Sequence, residues 1–501
     1  MTTSTDTRAK TAVLAIICIS YFMVILDNSI IFTGLPRIEA AMGFSPTGLT
    51  WVQDAYTLVF GGLLLLGARA GDIVGRRRMF VAGLVLFGFA SFLVGIAPFD
   101  WWLIAARAVQ GVGAAVLAPS SLALLTASFA EGHERAKAVA AYSAVAGICA
   151  SAGLVIGGVL ADWISWRAGF FLNVPIGLAM LLAARRYLTG NAPRQRGRFD
   201  VPGALSATLG MTAIVFAVID SATAGWGSPT VLGSLVLGVA LLVGLVANEA
   251  RAAQPIMPLR LFASRQRTGA YLVRLLYLGA MIGFFFFTTQ YLQGVLGFTP
   301  LQAGLAFLPM TAVNFAVAVL VNRVVQQIGT RWTLIAGVAA TLAGMVWLSR
   351  LGLYSSYWDA VALPMVGIGI GQGLAFAPMT SAGLSGVVGS DAGASSGVIN
   401  TFHQLGSALG LSVVTVVGTA AVTSSAPRTA LVERVSGALT GSSGLLLLAL
   451  VLTIVLITGR RPGRRPGRRP GRPTDRQAES EQVAEEPAAL VESPLGHSVR
   501  A

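Results

Sequence analysis

The sequence predicts an all-α polytopic membrane protein with fourteen transmembrane helices. Three observations predict it: a shortage of charge, a series of long apolar runs, and a one-sided distribution of arginine. Of 501 residues, 55% are hydrophobic and only 11% are charged, whereas soluble domains carry about 25% charged residues. A surface facing lipid explains the deficit, since about 20 apolar residues cross a bilayer as a helix.

The apolar runs fall at 11–34, 50–67, 79–97, 101–126, 136–161, 167–187, 202–220, 229–248, 269–294, 301–326, 331–350, 358–382, 393–420 and 440–458. They are rich in Gly, Ala, Leu and Val without the alternation of a transmembrane barrel, which argues for helices. The first run ends at Leu26-Asp27-Asn28 with no small-residue cleavage pattern. It is therefore expected to remain as a span rather than act as a signal peptide. With the N-terminus placed inside and the spans alternating, 28 basic residues fall in inner segments and five in outer ones. That asymmetry matches the positive-inside rule for an even number of spans, with both termini in the cytoplasm.

Several function classes drop out. Neither Lys10 nor Lys137 follows a glycine, so no phosphate-binding loop of the G-x-x-x-x-G-K-[ST] type is present. Cys18 and Cys149 lie in apolar runs; each is expected to be a small buried hydrophobe, with no disulfide or metal set. No catalytic constellation and no cofactor motif stands out. A channel would show a recurring filter or charged ring, and neither is visible. What remains is an ion-coupled carrier, with a non-transporting receptor as the alternative from another class.

The stretch Gly67-Ala-Arg69-Ala-Gly71-Asp72-Ile-Val-Gly75-Arg76-Arg77-Arg78 joins the second and third runs. Its glycines allow close approach of helix ends. Asp72 can cap a helix or pair with an arginine of a neighbouring helix, and the arginines hold the turn at an anionic leaflet. Such a charge pair can act as a latch, made in one conformation and broken in another. This stretch resembles the signature loop of the major facilitator superfamily. Leu26-Asp27-Asn28-Ser29-Ile30 with Gly34-Leu35-Pro36-Arg37, Trp51-Val52-Gln53-Asp54-Ala55-Tyr56, and Arg107-Ala-Val-Gln110-Gly111-Val-Gly113 resemble motifs of its fourteen-helix drug:proton antiporters. So do Trp166-Arg167 with Phe171-Leu172-Asn173-Val174-Pro175, and Tyr291-Leu292-Gln293 with Gly297-Phe298-Thr299-Pro300. The resemblance covers about residues 10 to 420. Two departures stand out. The fifth-helix antiporter motif reads Gly153-Leu154-Val155-Ile156-Gly157-Gly158, with leucine in place of proline. A decayed copy of the signature loop, Val321-Asn322-Arg323 to Gly329-Thr330-Arg331, carries Gln326 at the aspartate position.

The resemblance implies the major facilitator fold: two six-helix bundles, at 11–187 and 269–420, two linker helices within 188–268, and an outer loop and terminal helix at 421–458. Residues 1–10 form a cytoplasmic N-terminus, and a cargo path runs between the bundles near the membrane midplane. It also implies proton-coupled export of amphiphilic drugs or antibiotics, the alternative being a same-fold exporter of one dedicated metabolite.

Intramembrane charges are costly, and so are functional candidates. Asp27, Asp54 and Arg107 lie roughly 10, 6 and 9 Å in from the outer ends of their helices, at 1.5 Å per residue. They are expected to share one slab, with Gln110 beside them, and to form a net negative site for protons and for cationic or neutral cargo; the alternatives are a static ion pair of Asp27 with Arg107 and an outer-rim place for Asp54. His403, in Asn400-Thr-Phe-His403-Gln404, is a secondary proton candidate. Arg274, near the inner end of its helix, is expected to snorkel; Phe284 to Phe287 with Gln290 either line an amphiphile pocket or are lipid-facing bulk. The tail from Arg460 repeats Arg-Arg-Pro-Gly up to Pro473 and turns acidic from Asp475 to Glu492. It cannot pack a core and is expected to bind anionic lipid rather than nucleic acid. A monomer is expected.

Overall fold

The structure, a computed structural model, describes residues 4–129, 132–188, 200–252, 255, 257–387 and 391–457. Every regular element among them is helical: α1 Ser4–Met42, α2 Thr50–Val74, α3 Arg76–Gly95, α4 Asp100–Ser128, α5 His133–Trp163, α6 Trp166–Phe171, α7 Asn173–Tyr187, α8 Val201–Ala224, α9 Pro229–Arg251, α10 Arg265–Gly294, α11 Pro300–Ala306, α12 Leu308–Leu348, α13 Leu363–Gly383, α14 Ala392–Ala420 and α15 Pro427–Leu456. Twelve of the described helical stretches are long and apolar enough to cross a membrane. One of them, Pro300–Leu348, runs through a break at Gly329, and α5 adds a further 31-residue helix. Counted that way, the elements fit the fourteen expected crossings, and the chain is a multi-pass membrane protein.

The signature stretch is not a loop. Residues 67–74 continue α2 for two more turns, and the chain reverses at a single residue, Gly75, with φ 114°. An L side chain rarely adopts that backbone conformation, which is why glycine stands there. Gly329 has φ 84° and breaks α12 in the corresponding place. The decayed second copy has thus kept its turn while losing its aspartate.

Two proline effects were not anticipated. α1 continues through Pro36 to Met42, with Leu35 and Ile38 fully buried on either side of the proline. The run at 167–187 is interrupted at Leu172, because Pro175 has no N–H to give the preceding turn. The terminal helix also differs from expectation: it begins at Pro427, not near 440. Its first turns bury Val432, Val435, Ala438 and Leu439 at helical spacing, a stripe that a search for unbroken hydrophobicity passes over. These residues share one core with α10 and α14. α15 thus packs with the C-terminal helices from its first turns, beyond the expected limit at 420.

Packing distinguishes the two ends of the helices. At the end away from the α2–α3 turn, Leu35, Ile38, Leu154 and Trp166 share one apolar core with Leu292, Ala303 and Phe307. At the end bearing Arg76, the N-terminal helices keep a separate core around Ile17, Phe80, Leu84 and Leu125. α8 lies against both α2 and α14, burying Met211, Val215 and Ile219 with Leu58 and Ala408.

Candidate functional site

Between the N- and C-terminal helices is a cavity of about 2060 Å3. Its wall includes Arg69, Asp72, Arg76, Arg260 and Asp391 at the arginine-rich end, and Tyr56, Phe285 and Gln372 further in. At the opposite end the halves close on each other. A Cβ at Gly158 of α5 would come within 2.6 Å of the Pro300 carbonyl oxygen, and one at Gly304 would collide with the Leu154 backbone. Gly153 and Gly157 bring α5 equally close to Ser29 and Ile30 of α1. These glycines make α5 a flat face, and α5 remains one continuous helix with Leu154 in place of the motif's proline. Gln293 of α10 adds a cross-half bond, donating to the Thr33 carbonyl at 2.9 Å.

The buried charges divide into two groups. Asp27 and Arg107 are fully buried and paired at 2.6 Å. Gln110 and Asn173 each donate to the other carboxylate oxygen, Oδ1, at 2.8 Å. Asn173 is the first residue of α7. Arg107 Nε donates to the Val52 carbonyl, and Gln110 also donates to Ser91. The ring of Tyr56 covers the guanidinium at 4.3 Å and forms part of the cavity wall. None of Asp27, Arg107 and Gln110 lines the cavity; Tyr56 stands between. The expected net negative slab is therefore replaced by a neutralised, hydrogen-bonded cluster.

Asp54 does not join that cluster. It is fully buried, accepts from Ser412 Oγ of α14 at 2.9 Å, and its Oδ1 has no partner. It is thus a carboxyl group held at the contact between the two halves, not an outer-rim residue.

His403 lines the cavity, and its Nδ1 accepts from Arg274 Nη2 at 3.2 Å. An arginine can only donate, so the ring is neutral on that nitrogen. Arg274 does not snorkel. It is 4% exposed, turned inward among α10, α13 and α14, because Thr380 and His403 offer acceptors there. Of the four phenylalanines, only Phe285 reaches the cavity; Phe284, Phe286 and Phe287 are buried in the core of the C-terminal half. Gln290 is likewise buried and does not line it. Tyr21 stacks on Tyr142 at 4.2 Å in the opposite wall. Tyr21, Phe376 and Thr380 were missed in sequence, where nothing marks them among other apolar-run residues.

At the mouth, Asp72 pairs with Arg76 at 3.3 Å, and Arg76 also donates to the Ala123 carbonyl. Arg77 donates to the Arg185 carbonyl. Gly67 lies against the Ala115 backbone, where a Cβ would collide, while Gly71 lies near Ser120. Across the cavity, Arg260 holds Asp391 through two bonds of 2.7 and 2.8 Å. That hydrogen bonding keeps the Asp391 carboxyl below the usual carboxylate range. Cys18 is buried as expected; the Cys149 side chain and the tail lie outside the described residues.

Residues 17–411 match the family profile described as Major Facilitator Superfamily. The chain belongs to the major facilitator superfamily. Among curated family members, it is 40% identical over 428 residues to the cephamycin export protein CmcT of Amycolatopsis lactamdurans, covering 85% of this chain and 88% of that one. It is 38% identical to the puromycin resistance protein pur8 of Streptomyces alboniger, over 81% of this chain and 82% of that one. The methylenomycin A resistance protein of Streptomyces coelicolor is 33% identical, over 79% and 83%. The fold agrees with that of a bacterial homologue of the human lysosomal transporter Spinster, in an inward-facing and unoccupied conformation. The TM-score is 0.64 with 15% identity, over 90% of this chain and 97% of that one.

Proposed function

We propose that this chain is a proton-coupled exporter of amphiphilic antibiotics or drugs, working by alternating access across the cytoplasmic membrane. The observation that carries the reading is the cavity between the halves, with its mouth at the arginine-rich end and its other end sealed by α5 against α11. Family members that export cephamycin or confer resistance to puromycin support the choice of cargo. The positive-inside rule puts the mouth in the cytoplasm, so cargo would enter there and leave when the α5–α11 contact parts. The helices α1–α7 and α10–α15 act as the two rocking bodies, and Asp72 with Arg76 as the latch at the mouth. The arginines at that face and the tail meet anionic lipid, and the protein works as a monomer without a cofactor.

Proton coupling is assigned to Asp54. It is buried where α2 meets α14, has no cation paired with it among the described residues, and bonds to Ser412 of the other half. Parting the halves at this point would break that bond and open the carboxyl group to water, tying proton exchange to the transport cycle. Asp27, bound by Arg107, Gln110 and Asn173, serves to organise the first bundle. The test is export into proteoliposomes under an imposed pH gradient. Asp54→Asn is expected to abolish uphill movement while leaving downhill movement of the same dye. Uphill export with unchanged pH dependence in that variant would place the proton site elsewhere, and Asp27→Asn would be tested next.

A further inference from the structure

The charge in the cavity wall is unbalanced. Among the described residues, four arginines line it against two aspartates. Both aspartates are at the mouth and already paired, Asp72 with Arg76 and Asp391 with Arg260. Arg274 lies deeper, and no carboxylate among the described residues pairs with it. Two of its five N–H groups are engaged: Nη1 donates to Thr380 Oγ1 at 2.9 Å and Nη2 to His403 Nδ1 at 3.2 Å. Its Nε has no partner. Phe376 covers one face of the guanidinium at 4.2 Å. The neutral His403 lends a lone pair but no counter-charge.

A buried cation without a counter-ion is unfavourable, and its neighbours here satisfy only part of its donor set. A guanidinium fork matches a planar carboxylate. Resting on the transport reading above, we infer that the cargo is an amphiphile bearing a carboxylate, which docks on Arg274. Its apolar body lies against Phe376, Phe285 and the stacked Tyr21 and Tyr142. Asn400 and Gln404, also in the wall, are positioned for its remaining polar groups. The cationic cargo expected from the sequence is disfavoured, because the carboxylate meant to attract it, Asp27, is neutralised behind Tyr56.

The probe is 11-(dansylamino)undecanoic acid, compared with its methyl ester and with the corresponding long-chain amine, titrated by fluorescence into the purified full chain. One charge-assisted pair predicts that the acid binds about tenfold tighter than the ester. Arg274→Gln should remove that preference while leaving ester affinity within about twofold, and Arg274→Lys, which keeps the charge but not the fork, should retain part of it. Equal or tighter binding of the ester or amine to the wild type overturns the inference without any variant. So does an equal loss of acid and ester in Arg274→Gln, which would mark a packing role. Displacement of the acid by phosphatidylglycerol nanodiscs but not by phosphatidylcholine ones would assign the guanidinium to a lipid headgroup and also overturn it. If the ester and amine bind and the acid does not, only this inference falls. If none of the three binds, the cargo cavity falls with it.

Discussion

The two halves of the molecule each bury an arginine, and the contrast between those arginines separates architecture from ligand contact. Arg107 has a carboxylate at 2.6 Å, two further polar partners, and an aromatic ring screening it from the cavity. Arg274 has a hydroxyl, a neutral imidazole and an aromatic face, and it lines the cavity itself. A charge satisfied from within the protein has little left to offer a visitor. A charge that is only partly satisfied, beside an opening, has. Intramembrane charge alone therefore does not mark a transport residue; the partner set decides.

The largest expected effect breaks the first site. Arg107→Ala leaves Asp27 buried and uncompensated, which costs about 3–5 kcal/mol when one partner of a buried pair is removed. Thermal unfolding in detergent should show a large loss of folded protein. Arg274→Ala should show a much smaller one, since it strands no carboxylate; equal losses would erase the distinction between the halves.

A second effect sharpens the comparison at the two turns. Asp72 pairs with Arg76 beside Gly75, whereas the matching turn at Gly329 carries Gln326. Asp72→Asn should slow export on the order of tenfold, within the usual range of conformational couplings, with normal amounts of protein in the membrane. Gln326→Asn should change little. Near-normal export by Asp72→Asn at equal expression would reduce the first turn to an anchor like the second.

The smallest effect is at the pair across the mouth, where Arg260 is largely exposed and Asp391 is not. Asp391 has its carboxyl lowered by Arg260, so the pair's contribution is complete above the ordinary aspartate value of about 4. It is lost as pH falls through the lowered one. The melting difference between wild type and Asp391→Asn should be small and flat from neutral to mildly acidic pH, narrowing only below that range. A difference that grew on acidification would contradict the sign.

Most of the fold was legible because lipid allows so few solutions: apolar length gives the long helices. The two turns were legible from glycine spacing, although the residues around the first prove helical up to Gly75. The start of α15 was hidden, since its buried stripe is amphipathic, not continuously apolar. The partnership of Asp27 with Arg107 was foreseen as one possibility, but the amide of Asn173 was not, because it comes from a helix 146 positions away in sequence. Arg274 was visible and misjudged. Its position near a helix end suggested an outward reach, and only the neighbouring helices reveal acceptors on the inward side. Asp54 was singled out in sequence, yet its contact with Ser412 is a matter of helix rotation that no single helix encodes.

The α8–α9 pair has one more consequence. Thr208 of α8 rests so closely on Gly62 of α2 that a Cβ there would collide, while Met211, Val215 and Ile219 of α8 pack with Leu58 of α2 and Ala408 of α14. The polypeptide that joins the halves is thus also a wedge gripped by both. Continuity of the main chain between residues 188 and 200 becomes dispensable for keeping them together: two fragments divided there, made in the same cell, carry the surfaces needed to find one another and reassemble.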